Sequence, residues 1–519
     1  MGKEKRQNIS GCGFIYFTVF VTGAVILAVE IAGTRMLSPF FGVTFYIWSA
    51  LILVTMLSLA AGYYAGGVMA DKKPSHKIFY RIVFFAGIAV MIIPLIAPFL
   101  LVRFTSLEIR LGIILSAGII FSPSLILLGM VTPYAVKLAT PAVDILGSRA
   151  GRLYATGTLG SCLGAVFAGF ILIPSIGVAN LFFVLAIMLF MIPVLNSLLQ
   201  RRFPGIIIFA GAAASVFLLS AGGSSAARYI DESFKMLYEA QTLYGQLNVI
   251  EKGFRRWLTI DLTANTSIDT RSGFSAYKYT YFFELMNYIN PNAEEALFIG
   301  LGGGSVVNRF LDYGIKADAV ELDAKVAYAA EKYFNFDKTR VSLTIDDGRR
   351  FVKTAAKKYD FIVTDVVGGS GTVPYHFFSR EFFGEAKRTM GSDGIFGLNY
   401  IGYAMGDHSK ASRNIYKTLK EVFNHVHIYA TESGGFEHSN IVFLASDAEL
   451  NLKKDIAECG IPEVRTILTE MVSSRIEYDE QHKDSIILTD NYNPIQFLSV
   501  AASAHTRKDL LDFLGVNRK

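Results

Sequence analysis

The stretch Ala296-Leu297-Phe298-Ile299-Gly300-Leu301-Gly302-Gly303-Gly304, followed after a helical segment by Ala319-Val320-Glu321-Leu322-Asp323, decides how this chain is read. An apolar run into a glycine turn, then a helix, then a second apolar run ending in acids is the strand-turn-helix-strand unit that holds adenosine-type ligands. The glycines allow a tight turn and let a ligand approach the amino terminus of the next helix. Alone, such a turn is a weak signal, because a tight turn before any helix can use glycine.

Its neighbours strengthen the reading. Apolar runs at 341–345, 361–365, 395–400, 426–429 and 441–444 alternate with helical patterns, which predicts a parallel sheet with helices on both faces. Ligands in such sheets sit beyond the carboxyl ends of the strands. The first strand is followed there by Gly300, Gly302, Gly303 and Gly304, and the second by Glu321 and Asp323, placed to accept hydrogen bonds from ribose hydroxyls. The third is followed by Asp346 and Asp347, suited to an adenine amino group, and the fourth ends in Asp365. Four successive strand ends carrying glycines or acids is a stronger pattern than helix-capping acids on solvated loops. Beyond Asp365 lie a glycine-rich run at 366–372 and the aromatic segment 374–383. Upstream, 247–251 and 257–261 alternate as a β-hairpin and 277–288 reads as a helix.

The first ~220 residues have a different character. The chain has 519 residues, 52% of them apolar, and the apolar ones crowd into bilayer-length stretches at 14–33, 43–69, 78–101, 111–136, 156–173, 179–199 and 206–221. About twenty apolar residues cross the hydrocarbon core, so about seven spans are expected, the last the weakest. The fold class is therefore a multi-span α-helical membrane domain (1–221), a small β-module and linker (222–275), and a Rossmann-like domain of class I methyltransferase type (276–519).

With the amino terminus inside, the inner loops collect Lys3, Lys5, Arg6, Lys72, Lys73, Lys77, Arg81, Lys137, Arg149, Arg152, Arg201 and Arg202, while the outer loops hold Arg35, Arg103 and Arg110. That asymmetry favours an inside amino terminus. Seven spans would then put the soluble half outside, whereas cytosolic cofactors require it inside. Either one segment does not cross, most plausibly 206–221 or part of 156–177, or the domain is external. Glu30 is the one acid well inside a span and reads either as a substrate acid or as half of an interfacial pair with Arg35. Gly157, Gly160, Gly164 and Gly169 suit close helix packing.

The net charge of +5 sits mostly in loops between spans and forms no basic stripe, so nucleic acid is not an expected partner. Cys12, Cys162 and Cys459 share no spacing that suggests a disulfide framework or a metal cluster.

The soluble half resembles the spermidine synthase (polyamine aminopropyltransferase) family, and the whole chain resembles its membrane-fused members. The resemblance rests on the residues 243–251, the glycine turn, 320–323, 346–349 and 364–365, with 373–383, 488–494, 30–35 and 39–42 resembling the fused subgroup. It implies transfer of an aminopropyl group from decarboxylated S-adenosylmethionine to a diamine such as putrescine, without a metal. In that scheme Asp365 is the base, Glu321 meets the ribose, and Asp346 or Asp347 meets the adenine. Tyr279, Tyr281, Glu284, His376 and Asp490 are further candidates for the substrate side. The resemblance also allows a homodimer.

The chain departs from the family pattern at three places. Gly303 stands where the glycine turn usually carries an acid for the cofactor's amine, Gly368 where a second acid follows the catalytic one, and Gly245 where a glutamine of the diamine pocket is common. The nucleotide half looks kept and the amine half altered. Methyl transfer from S-adenosylmethionine on the same fold, and a polyamine or nucleoside transporter or sensor with a non-catalytic soluble domain, remain the alternatives.

Overall fold

A computed structural model describes residues 2–42, 45–105, 107–140, 145–200, 211, 213–218, 230–366, 373–478, 484–513 and 515. The chain divides into two compact units, Met1–Ile230 with Gly515–Lys519, and Asp231–Leu514.

In the first unit, six helices among the described residues are long and apolar enough to cross a membrane: α1 (Gly13–Phe41), α2 (Tyr46–Lys72), α3 (His76–Phe104), α4 (Ile109–Ala139), α5 (Leu146–Ile176) and α6 (Val178–Leu199). The seventh candidate stretch, 206–221, lies for the most part outside the described residues. The first helix does not end near residue 33: it runs through Arg35 to Phe41, because Met36, Leu37, Phe40 and Phe41 continue its buried face. Glu30 therefore sits within a continuous helix.

Glycines let α5 lie directly on α1. A methyl group at Gly160 would run into the Phe20 carbonyl, one at Gly164 into that of Ala24, and one at Gly23 into that of Gly157. Backbones that approach this closely gain packing where lipid supplies no hydrophobic drive. Gly169 is looser, with Ile31 Cγ2 at 3.9 Å from the same test position. Polar contacts fix which helix ends lie together. Lys137 Nζ is 2.8 Å from Asp71 Oδ1 and the Ser75 N–H donates to the Tyr134 hydroxyl at 3.1 Å, so the end of α4 meets the α2–α3 turn. Arg110 lies 5.2 Å from the Tyr46 ring centre, which joins the starts of α4 and α2 at the opposite end.

The second unit opens with an antiparallel sheet of β1 (Lys235–Gln241), β2 (Gln246–Lys252), β3 (Arg255–Ile260) and β4 (Thr263–Asp269). The expected hairpin is β2–β3. Between β3 and β4, Asp261 and Leu262 take φ of 48° and 63°, the left-handed pair of a two-residue hairpin turn.

The main sheet has eight strands in the order β12-β10-β11-β9-β8-β5-β6-β7. These are β5 (Glu295–Ile299), β6 (Lys316–Glu321), β7 (Val341–Ile345), β8 (Tyr359–Thr364), β9 (Met390–Tyr403), β10 (His425–Ala430), β11 (His438–Ser446) and β12 (Arg475–Ile476). It is not the wholly parallel sheet that the alternation predicts. β7, β6, β5, β8 and β9 are parallel, but β11, β10 and β12 add antiparallel. The seven residues 431–437 between β10 and β11 are too few for a parallel crossover, which takes a dozen or more.

Instead of one helix at 277–288, two short helices form, Tyr279–Phe282 and Leu285–Ile289. One core packs on each face of the large sheet, centred on residues such as Phe298 and Phe310 on one side and Phe382 and Phe396 on the other. A third joins the β-module to the helix Ala324–Tyr333 through Leu247, Val249, Leu258 and Ile268 against Val326 and Ala329. The module is thereby fastened beside the carboxyl end of β6.

Candidate active site

The strand order reverses between β5 and β8, since β6 leads away on one side and β9 on the other. That switch point opens a crevice at the carboxyl ends. Gly300 closes β5 there, with φ of 89°, and a Cβ on it would collide with the Asp365 carbonyl. The glycine is required because the β5 and β8 ends touch. The Asp365 N–H in turn donates to the Ile299 carbonyl at 3.0 Å, which sets the acid at the mouth of the crevice.

Both carboxylate oxygens of Asp365 are held. The Tyr279 hydroxyl donates to Oδ2 at 3.0 Å, and Asn399 Nδ2 donates to Oδ1 at 2.9 Å. Burial raises the Asp365 pKa, while these two bonds pull it down. Burial also holds the Tyr279 phenol neutral by pushing it well above its ordinary range, with Asp365 adding to the effect. The result is a desolvated carboxylate with fixed orientation, the condition of a general base toward an amine.

On the other side of the turn Glu321 bridges two strand ends: Oε2 accepts from the Leu301 N–H at 3.0 Å and Oε1 from the Asp323 N–H at 2.9 Å. Asp323 caps the helix Ala324–Tyr333 through the Lys325 N–H. Asp347 likewise caps Gly348–Thr354 through the Arg350 N–H, and Asp346 pairs with Arg350, whose hydrogen bond lowers its pKa. Capping and ligand binding are compatible for Asp323 and Asp347, since the cap uses Oδ1 alone in each. The Tyr244 phenol is raised by burial and then by the charges of Asp323, Asp347 and Glu321, so it stands beside this acid cluster. Glycines 302 and 304 have φ of 53° and 78°, and the Gly303 N–H donates to Thr266 Oγ1 at 2.8 Å. Two buried polar atoms at the crevice, Asn399 Oδ1 and Ser305 Oγ, have no protein partner. A glycine cradle, a fixed glutamate and orphaned polar atoms suit a nucleoside ligand.

Residues 281–453 match the family described as "Spermine/spermidine synthase domain". The polyamine aminopropyltransferase of Vibrio vulnificus is 26% identical over 284 residues, covering 51% of this chain and 91% of that protein. Residues 281–453 thus carry a spermine/spermidine synthase domain. A polyamine aminopropyltransferase of Clostridium perfringens is 31% identical over 147 residues, spanning 27% of this chain and about half, 52%, of that relative. The crystal structure of spermidine synthase from Thermotoga maritima aligns over 46% of this chain and 88% of that one, at 20% identity and a TM-score of 0.36.

Within this spermidine synthase domain, the substrate-side candidates scatter. Tyr279 joins Asp365. The Tyr281 hydroxyl donates to the Ser275 carbonyl at 2.8 Å. Glu284 is fully buried and accepts from Arg309 Nε at 2.8 Å, Arg309 Nη2 at 3.0 Å and the Tyr313 hydroxyl at 2.6 Å. Asp490 accepts from both Nη atoms of Arg349 at 2.7 Å and from Ser379 Oγ at 2.6 Å. The His376 ring rests 4.4 Å from that of Phe377, and burial lowers its pKa. Position 368 lies outside the described residues.

Sequence reasoning missed Asn399 and Thr266. Asn399 interrupts an apolar strand end, Leu398-Asn399-Tyr400, and a polar residue at that place was the available signal. Thr266 lies on β4, whose polar sequence carried no strand pattern.

Proposed function

We propose that this protein is a membrane-anchored aminopropyltransferase that moves an aminopropyl group from decarboxylated S-adenosylmethionine to a polyamine such as putrescine. The observation that carries the reading is Asp365, fixed by Tyr279 and Asn399 at the switch point, next to the glycine cradle and Glu321. The domain match and the named activity of the relatives support it.

The chemistry follows from the residues. Glu321 offers its remaining lone pairs to the ribose hydroxyls, and the β5 turn receives the nucleoside against its glycines. Asp365 holds the acceptor amine in line and takes its proton as the N–C bond forms. The C–S bond breaks with its electron pair left on sulfur, giving a neutral thioether. Alignment and a dry base are the main contributions the protein makes to such a displacement.

Six spans and an inside amino terminus bring the soluble half to the cytoplasmic side, where its substrates are. The apolar helices and their charged ends support this placement.

Mass spectrometry of products formed from decarboxylated S-adenosylmethionine and putrescine tests the activity. A mass gain of one aminopropyl group on the amine is the expected result. The acid-free turn at Gly303 makes S-adenosylmethionine the second donor to test, and methylated amine from it alone would replace this reading.

A further inference from the structure

Glu30 is an acid that the aminopropyl-transfer chemistry does not use. It lies within the continuous helix α1, which runs on to Phe41, and a rise of about 1.5 Å per residue sets it about 16 Å from that end. The hydrocarbon core is about 30 Å thick, so Glu30 stands near mid-depth and not at the interface. Arg35 is five positions further on. Side chains meet along a helix at spacings of three and four, so Arg35 turns to a different face.

Across from Glu30 stands Thr55 of α2, a helix that begins at Tyr46, which puts the two residues at similar depth. Gly33, one turn along α1, fixes this register: a Cβ there would lie 3.3 Å from Leu51 Cδ2, one turn along α2, and 3.1 Å from Phe121 Cζ of α4. Helical threonines and serines commonly turn their hydroxyl onto the carbonyl one turn back, as Thr34 does on Glu30 at 3.3 Å and Ser38 on Thr34 at 2.7 Å. Thr55 does not. It is 1% exposed, and the group its hydroxyl bears on is the Glu30 carboxylate. The two stand beyond hydrogen-bond distance, and the Thr55 oxygen has no other partner among the described residues.

A carboxylate at mid-depth is costly unless a cation or a proton meets it. Three acceptors face one another here, the two carboxylate oxygens of Glu30 and Thr55 Oγ1. A primary ammonium carries three N–H donors and one positive charge, which matches them in number and sign, whereas a hard divalent ion asks for about six or more oxygens. We propose that Glu30 and Thr55 form an intramembrane binding site for one primary alkylammonium group, its hydrocarbon tail lying along apolar helix walls such as Leu51 and Phe121. The site is independent of the chemistry assigned to Asp365.

The test labels the full-length protein in detergent with N,N′-dicyclohexylcarbodiimide, which adds to protonated carboxyls shielded from water, and maps the label by peptide mass spectrometry. n-Butylammonium is titrated against tetramethylammonium at fixed pH and ionic strength, the second cation having the same charge and no N–H donor. Labelling at Glu30 is expected, absent in Glu30→Gln, and n-butylammonium is expected to slow it by about tenfold at ten times its dissociation constant. Thr55→Val is expected to raise the half-protecting concentration about tenfold, through loss of one charge-assisted hydrogen bond. A folded Thr55→Val protein protected as well as the parent overturns the three-acceptor site. Equal slowing by tetramethylammonium, or slowing by Na⁺ alone, overturns the ammonium assignment. An unlabelled Glu30, or a labelling rate that no cation changes, makes the acid structural and overturns the site altogether. The series on the parent protein decides these last outcomes by itself if either variant fails to fold.

Discussion

Asn399 donates from Nδ2 to Asp365 Oδ1 at 2.9 Å while its own Oδ1 stays buried and unpartnered. The amide therefore fixes the carboxylate from β9 and keeps one acceptor in reserve at the crevice. With the Tyr279 hydroxyl on the other oxygen, Asp365 has one orientation.

Replacing Asp365 with Asn removes the proposed base and keeps the shape. Turnover is expected to fall by about 10²- to 10⁴-fold, with nucleoside affinity changed little, as read by steady-state rates and calorimetry. The same variant reports on stability. Burial raises the folded pKa of Asp365, so the acid's contribution is complete below its unfolded pKa and is lost as the pH rises through the folded one. At neutral pH the Asp365→Asn protein is expected to melt no lower than the parent. A marked loss of Tm would mean that the charged form is net stabilising.

Asn399→Ala tests the other half of the pair. The Asn399 hydrogen bond lowers the Asp365 pKa against burial, so its removal moves the pKa further up. The acidic limb of the kcat/KM profile is expected to shift to higher pH, and Tyr279→Phe to shift it in the same direction. An unmoved limb with a uniformly lower rate would mark both residues as packing alone.

Much of this site was legible because its chemistry sits on strand ends. Gly300, Glu321 and Asp365 each close an apolar run, and apolar runs are what single-sequence reading finds best. The mixed half of the sheet was not legible, since β10 and β11 look like any other buried strands and direction is set by the length of the connection. The fate of Glu284 was hidden for a different reason. Its partner Arg309 lies 25 positions away on another helix, and no local pattern records that pairing. Thr266 belongs to the same class: its role exists only once the β-module has docked on the glycine turn.

That docking makes a prediction at Gly303. Introducing the missing acid as Gly303→Asp forces a side chain against Thr266 and Phe334. Overpacking of this kind costs about 1–3 kcal/mol, so a lower denaturation midpoint is expected with no gain in affinity for decarboxylated S-adenosylmethionine. Tighter binding of that donor by the variant would show that the turn opens to admit the acid.

Glu284 separates structure from substrate. The carboxylate is fully buried and Arg309 nearly so, with relative side-chain exposures of 0% and 11%. Breaking a buried pair by removing one partner costs about 3–5 kcal/mol. Glu284→Ala is expected to lose stability on that scale in urea unfolding, with the KM for putrescine changed little. A marked rise in that KM at unchanged stability would return Glu284 to the acceptor site.

The helix ends that meet give a testable expectation for orientation in the bilayer. Lys137 and Asp71 pair at one end, with Lys72, Lys73 and Lys77 in the adjoining turn, while Arg110 lies against Tyr46 at the other. The charge rule predicts that the lysine-rich end is the cytoplasmic one. Counting inward from an inside amino terminus, α6 returns the chain to that same face, provided that 206–221 does not cross. Protease added to inside-out vesicles is then expected to remove the soluble half, and the same protease is expected to leave it intact in right-side-out vesicles. The reverse pattern would mean either an outside amino terminus or a seventh crossing between Leu199 and Asp231, and would put the candidate site on the outer face.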